Sequence, residues 1–98
     1  MFVKLHPEAE SELIENAIYY ECEVEGLGYR FIEEIERGIE VLIAQPRLGQ
    51  PLNEQLRSFV LGGFPFSLIY SLEQDKIWIV AIAHQKRRPG YWRKRISR

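Results

Sequence analysis

Apolar and polar positions change their period along this chain. "FVKLH" alternates between the two and predicts a short strand from Phe2 to His6. From Pro7 onward, Ala9, Leu13, Ala17, Tyr20 and Val24 recur at helical spacing, and Ile14 and Ile18 widen the stripe. An amphipathic helix from Pro7 to about Val24 follows. Pro7 suits the first helical position because its missing N–H would have no intrahelical acceptor, and Glu8 and Glu10 complement the positive end of the helix dipole. Gly26 is placed to stop the helix. Leu27, Phe31, Ile35, Ile39 and Leu42 then form a second stripe, which Pro46 ends. So short a glycine turn predicts that the two helices run antiparallel as an αα-hairpin. Gly38 costs about 1 kcal/mol relative to Ala inside a helix, so it is expected to serve close contact between the two helices.

"PRLGQPLNEQL" reads as a loop, and beyond it the period becomes two. "RSFVL" is a strand candidate and Gly62-Gly63 a turn. "FPFSLIYSL" is a second strand with Phe64, Phe66, Leu68, Tyr70 and Leu72 on one face, and Pro65 confines its start to an edge or a bulge. After the tight turn "EQDK", a third strand runs from Ile77 to about His84. It is apolar on both faces: Ile77, Ile79, Ala81 and Ala83 on one, Trp78, Val80 and Ile82 on the other. Two helices cover only one face of a small sheet, so the C-terminal segment, a partner or both must cover the second. The order β-α-α-β-β-β predicts an α+β fold, an αα-hairpin packed on one face of a small antiparallel sheet of three or four strands. Residues 1–98 read as a single domain ending in a basic segment, 85–98.

The formal net charge is only -1, yet it conceals an asymmetry. Glu8, Glu10, Glu12, Glu15, Glu21, Glu23, Glu25, Glu33, Glu34, Glu36 and Glu40 all precede Gln45, whereas His84 to Arg98 holds Lys86, Arg87, Arg88, Arg93, Lys94, Arg95 and Arg98 and no acidic residue. Such polarity points to an acidic partner for the basic end, either nucleic acid or a protein. The alternative is that the tail folds back, through some of its arginines, to neutralise the acidic helices. The lone Cys22 allows no intrachain disulfide. One Cys with the distant His6 and His84 offers no metal-ligand spacing, so neither metal nor cofactor is expected. The longest apolar run, "IWIVAIA", is far short of the roughly 20 residues that span a bilayer, and "MFVKLHPEAE" lacks the apolar core of a signal peptide. A cytoplasmic location away from membranes is expected.

Several stretches carry a resemblance: "FVKLHPEAESELIENAIYYE", "IAQPRLGQPL", "LRSFVLGGFPFSLIY" and above all "IVAIAHQKRRPGYW". Together they resemble the ParE/RelE superfamily, the toxins of bacterial type II toxin-antitoxin pairs. The most specific piece is His84 to Trp92, a histidine, paired arginines, Pro-Gly and an aromatic pair directly after an apolar last strand. The resemblance implies a small toxin neutralised by a cognate antitoxin. ParE-like members are associated with poisoning DNA gyrase, and RelE-like members with cutting messenger RNA on the ribosome. The expectation adopted is a ParE-like toxin that arrests growth by binding gyrase rather than by catalysis. The alternatives are a ribosome-dependent endoribonuclease and an inactive relative that only binds its antitoxin.

Cleaving RNA through its 2'-OH requires a proton acceptor, cations to stabilise the charge growing at phosphorus, and an acid for the leaving oxygen. Where RelE-like relatives often have Arg, this chain has Ser67, and "NEQLRSFV" offers Arg57 with no lysine. Glu54, Arg57, His84 and Tyr91 are the weak catalytic candidates. His84 reads as a hydrogen-bonded histidine fixing the tail's exit angle before it reads as a general base, and Tyr91 and Trp92 as anchors packing the tail on the sheet. Pro89 cannot donate to a ladder, so Lys86 to Arg88 should leave the sheet at a rim. Lys86, Arg87, Arg88, Tyr91 and Trp92 are the expected target contacts. Trp78, Val80 and Ile82, if uncovered, are the expected antitoxin contacts.

Overall fold

A computed structural model describes residues 1–96; the last two residues of the basic segment, 97 and 98, lie outside the described residues. Strand β1 (Phe2–Leu5) leads into helices α1 (Pro7–Glu23) and α2 (Leu27–Ala44). Strands β2 (Gln50–Pro51), β3 (Leu56–Val60), β4 (Phe66–Glu73) and β5 (Lys76–His84) follow, and a short 3-10 turn spans Arg93–Arg95. The α+β architecture with an αα-hairpin on one sheet face is the one expected. The sheet has five strands in the order β1-β5-β4-β3-β2 and is mixed, because β1 lies parallel to β5 with Phe2 opposite Lys76 and Leu5 opposite Ile79. A parallel pair needs a long crossover, and the chain from Pro7 to Asp75 supplies one. Within the expected loop, Gln50 and Pro51 pair antiparallel with Ser58 and Arg57. Pro51 is tolerated because β2 is an edge strand.

His6 belongs to the start of α1 rather than to β1, and its Nδ1 accepts the Glu8 N–H at 3.0 Å. The N–H groups of Gly26 and Gly28 donate to the two carboxylate oxygens of Glu21 at 2.8 and 2.9 Å. That carboxylate satisfies two donors at the start of α2 that have no intrahelical partner, and its charge complements the helix dipole. The close approach of the helices occurs at Gly28 and not at Gly38. A Cβ on Gly28 would lie 2.5 Å from the Ala17 carbonyl oxygen. A Cβ on Gly38 would instead meet the side chains of Leu61 at 2.9 Å and Leu68 at 3.2 Å. The reason is geometric: Gly28, at the closed end of the hairpin, faces α1, whereas Gly38 faces the sheet side, toward Leu61 and Leu68.

Phe31, Ile35 and Leu42 of α2 pack on Phe66, Leu68 and Tyr70 of β4 and on Ile77, Ile79 and Ile82 of β5. Burying each such side chain contributes roughly 1.5–3 kcal/mol. A second cluster, Leu56, Ile69, Val80, Ala81 and Ala83, lies on the opposite sheet face beneath Tyr91, Trp92 and Ile96 of the tail. Ile69 pairs with Ala81 but Tyr70 pairs with Ile79, so Val80 is an extra residue, a β-bulge. One inserted residue reverses the parity of everything after it. Val80, Ala81 and Ala83 therefore lie under the tail while Ile82 turns to the helices, which corrects the expected face sets Ile77/Ile79/Ala81/Ala83 and Trp78/Val80/Ile82.

Candidate functional site

The tail leaves β5 through a succession of local turns. The N–H of Lys86 donates to His84 Nδ1 at 3.0 Å, and the N–H of Arg87 donates to the His84 carbonyl at 3.0 Å. The His84 ring sits edge-on to Phe66 with centroids 4.9 Å apart. A further bond runs from the Tyr91 N–H to the Arg88 carbonyl at 3.2 Å, and Gly90 adopts a φ of +82° that side-chain-bearing residues rarely take. These bends return the chain to the second sheet face, where Tyr91, Trp92 and Ile96 cover the bulged strand.

Glu12 of α1 is where the tail is fastened. One carboxylate oxygen accepts the Ile82 N–H at 2.9 Å and Arg95 Nη1 at 3.1 Å, and the other accepts the Tyr91 hydroxyl at 2.7 Å and Arg95 Nη2 at 2.8 Å. Arg95 Nη1 also donates to the Val80 carbonyl at 3.0 Å, and its Nε lies 3.4 Å from the exposed Glu8 carboxylate. The backbone explains the arrangement. β1 runs with β5 only as far as Ile79, whose carbonyl accepts the His6 N–H. Beyond it, the outward Val80 carbonyl and Ile82 N–H have no strand alongside, and buried backbone groups must find partners. Glu12 and Arg95 supply them.

Burial pushes the Tyr91 hydroxyl well above the ordinary tyrosine range, and its hydrogen bond to the Glu12 carboxylate adds to the rise. For Arg95, burial lowers the pKa, but the hydrogen bonds and negative charge of Glu12 outweigh it and leave the value raised. Tyr91 thus stays a neutral donor and Arg95 a cation at neutral pH.

What the latch leaves outward is cationic. Lys86, Arg87, Arg88, Arg93 and Lys94 are exposed, whereas the Arg95 side chain is 8% exposed. The Arg87 guanidinium carbon stands 3.9 Å from the centroid of the Tyr91 ring, and Arg95 lies near the same ring at 5.1 Å. Cation–π contacts of this kind contribute about 0.5–1 kcal/mol at exposed positions and narrow the orientations of the cation. Tyr91 meets Trp92 edge to face at 5.3 Å. The expected target contacts Arg87, Tyr91 and Trp92 are thus brought together, with Lys86 and Arg88 beside them on the same turn. A groove of ≈ 220 Å³ next to them is bordered by Ser58, Ser67, His84, Arg87 and Trp92, among others.

The weak catalytic candidates are placed apart. Arg57 Nη1 donates to the Arg47 and Gly49 carbonyls at 2.9 and 2.8 Å, and with Glu54 it borders a different groove on β3. His84 sits at the tail's exit, and the Tyr91 hydroxyl is committed to Glu12. Of the strand residues expected to meet an antitoxin, Val80 is 0% exposed beneath the tail and Ile82 1% exposed beneath the helices. Trp78 remains half-buried, with the Lys76 ammonium 5.0 Å from its ring centroid. Glu12 and Arg95 were not singled out from the sequence. The signal was there: Glu12 stands on the core side of α1 between Ala9 and Leu13, where a carboxylate needs a cation.

Among the described residues, no group of three or more His, Cys, Asp or Glu side chains is arranged to hold a metal ion, and no helix is long and apolar enough to cross a membrane.

Residues 3–89 match a family model described as the ParE toxin of type II toxin-antitoxin system, parDE. The match stops at Pro89, so Glu12 lies inside it and Tyr91 and Arg95 beyond it. Among solved structures, the chain is similar to one of the chromosomal ParDE TA system from P. aeruginosa, with 20% sequence identity and a TM-score of 0.72. That alignment covers 86% of this chain and 95% of the other, and it shows a shared fold. No match was found among curated proteins.

Proposed function

The chain belongs to the ParE toxin family of type II toxin-antitoxin systems, and from that premise we propose that it arrests growth by binding DNA gyrase, or gyrase with its DNA, through the cationic rim of Lys86, Arg87 and Arg88. It acts as a single cytoplasmic domain and is held in check by a cognate antitoxin, for which the half-buried Trp78 is the strand residue with surface to offer.

The observation that carries this reading is the Arg87 guanidinium 3.9 Å over the Tyr91 ring, with that ring fastened to a buried carboxylate. An inhibitor that acts by binding needs a preorganised surface complementary to its target, and fixed outward cations suit an acidic one. They also make affinity fall as salt rises. The same latch disfavours catalysis by Tyr91, because a hydroxyl whose pKa is pushed far up while it donates to a carboxylate is a poor acid or base near neutrality. The endoribonuclease reading keeps one observation in its favour: His84, Ser67 and Arg87 border one groove.

The test is expression without an antitoxin. Gyrase-linked DNA breaks and induced DNA repair are expected in arrested cells, and joint replacement Arg87→Ala and Arg88→Ala is expected to abolish arrest. With the Arg87 cation–π contact counted, the pair should shift stability by no more than about 1 kcal/mol, too little to unfold the chain. Messages cut within codons on the ribosome would replace the gyrase reading with the nuclease, and undiminished arrest in the double variant would remove the cationic rim from either.

A further inference from the structure

Arg37 on α2 pairs with Glu34, and Lys76 on β5 pairs with Glu73. On the tail, Lys86, Arg87, Arg88 and Lys94 pair with no carboxylate among the described residues. The Arg87 guanidinium lies over the face of the Tyr91 ring, a contact that orients the cation without using its N–H donors. Arg93 folds over the same turn, its guanidinium 2.9 Å from where a Cβ on Gly90 would stand. The tail thus gathers cations on one bend and gives its central guanidinium a fixed plane.

The groove of ≈ 220 Å³ beside Arg87 has hydroxyls in its lining and no carboxylate. Ser58 of β3 stands opposite Ile69, and Ser67 of β4 precedes Ile69 by two, so both share its face, the tail side of the sheet. Neither hydroxyl has a hydrogen-bond partner among the described residues. Leu52, Pro89 and Trp92 add apolar walls. By contrast, the grooves beside Trp78 and Arg57 hold Glu73, and the one on the helical hairpin holds Glu21. A guanidinium with unused donors, two unpaired hydroxyls and no negative charge together suit an anionic oxygen. The walls suit a ligand in which such oxygens alternate with apolar or planar groups, as they do in a sugar-phosphate strand. A surface carboxylate would satisfy the donors and leave the walls bare. Lys86 and Arg88 extend the charge to either side of Arg87, and duplex DNA offers one negative charge per roughly 1.7 Å of its axis.

We propose that the rim and this groove bind the backbone of DNA directly. Arg87 and the Ser58 and Ser67 hydroxyls donate to phosphate oxygens, Trp92 lies against the adjoining sugar or base, and Lys86 and Arg88 meet neighbouring phosphates. The inference rests on the gyrase reading and deepens it: in a complex of gyrase with DNA, the rim holds the DNA rather than an acidic patch of the enzyme. Contacts of this kind position a protein without reading sequence, so affinity should be indifferent to base order.

The probe is a short fluorescein-labelled DNA duplex, titrated with the intact chain in the absence of gyrase and followed by anisotropy. The logarithm of the binding constant should fall against that of salt concentration with a slope of roughly −3, about −0.9 for each of three phosphates neutralised. Arg87→Ala should reduce that slope by about 1. Joint replacement Ser58→Ala and Ser67→Ala leaves every charge in place. It should weaken binding about 10-fold or more at an unchanged slope, as loss of hydrogen bonds to a charged acceptor does. A flat salt dependence, or a serine variant that binds as the parent does, would overturn the proposal. So would equal competition by polyglutamate, which would make an acidic protein surface the partner, or tighter binding of single-stranded RNA than of DNA. Gyrase without DNA separates the two readings. If it binds the chain through Arg87 and Arg88 while the duplex does not, the DNA contact is refuted and the gyrase reading stands. If the duplex binds as described and gyrase adds nothing, the gyrase reading falls and the DNA contact stands without it.

Discussion

Glu12 and Arg95, 83 positions apart in sequence, meet through two hydrogen bonds of 3.1 and 2.8 Å with side chains 12% and 8% exposed. The pair joins α1, the free edge of β5 and the tail at one point, and so the fold and the presentation of the rim depend on it together. Removing one partner of a buried ion pair strands the other and costs about 3–5 kcal/mol. Glu12→Leu is expected to fall in that range, because it also leaves the Ile82 N–H without an acceptor. Arg95→Leu should fall at its lower end. With both replaced, no charge is left stranded, and the loss should be well below the sum of the two. Urea unfolding of the four proteins provides the cycle; additive losses would mean that the contact carries no coupling.

The two helical glycines should respond differently to the same substitution. Gly28→Ala places a methyl 2.5 Å from a backbone carbonyl of α1, which cannot swing aside. Overpacking of this kind costs roughly 1–3 kcal/mol even after the helices part slightly. At Gly38 the nearest atom is a Leu61 side-chain methyl at 2.9 Å, which can rotate, and the roughly 1 kcal/mol gain in helix propensity offsets the adjustment. Thermal melts should therefore show Gly28→Ala clearly lower than the parent and Gly38→Ala close to it. The reverse order would mean that the hairpin is looser at its closed end than the backbone implies.

Gly38 also shows how far the sequence could be read. Its presence in a helix signals a close approach, but periodicity does not say to what, and the neighbour is the sheet. The helices and β3 to β5 were legible because their apolar periods are long and their ends carry Pro or Gly. β2 was not, since two residues have no period, and neither was the parallel pairing of β1, which is set by a partner more than seventy positions away. The bulge at Val80 was hidden by composition: when Ile, Val and Ala fill both faces of a strand, a parity reversal leaves no trace in polarity. In the site, the Lys86–Arg88 rim and the anchoring aromatics followed from Pro89 and residue type. Arg95 lies in a run of like charges, and its partner Glu12 stands 83 positions away, so nothing local in the sequence marks it out.

Tyr70 reaches from β4 to the loop before β2, donating its hydroxyl to the Pro46 carbonyl at 2.7 Å and accepting the Gly49 N–H at 2.9 Å. Arg57 closes the same loop through the Gly49 carbonyl. Tyr70→Phe keeps the ring in the core but leaves the Gly49 N–H without its acceptor, at a cost of about 1–3 kcal/mol. Hydrogen exchange should accelerate at Gly49 and its neighbours while the helices keep their protection. Uniform acceleration across the chain would show instead that the loop is not held locally by this hydroxyl.

The raised pKa of Tyr91 makes stability depend on pH in one direction. An unfolded tyrosine loses its proton near 10.0, whereas in the fold burial, reinforced by the Glu12 hydrogen bond, keeps Tyr91 protonated beyond that. Above pH 10.0 and below the folded value, the unfolded chain therefore holds fewer protons than the native one, and stability falls as pH rises. Below that window the contribution is fully present. Tyr70 and Tyr20, also raised by burial, act in the same sense, so the decline has more than one source. Tyr91→Phe should begin about 1.5–3 kcal/mol less stable at neutral pH, for want of a hydrogen bond to a charged acceptor, and should then lose stability less steeply in alkali. Urea midpoints from about pH 8 to 11 compare the two slopes directly. Parallel slopes would mean that the hydroxyl ionises as freely in the fold as out of it, and that Glu12 does not hold the Tyr91 proton.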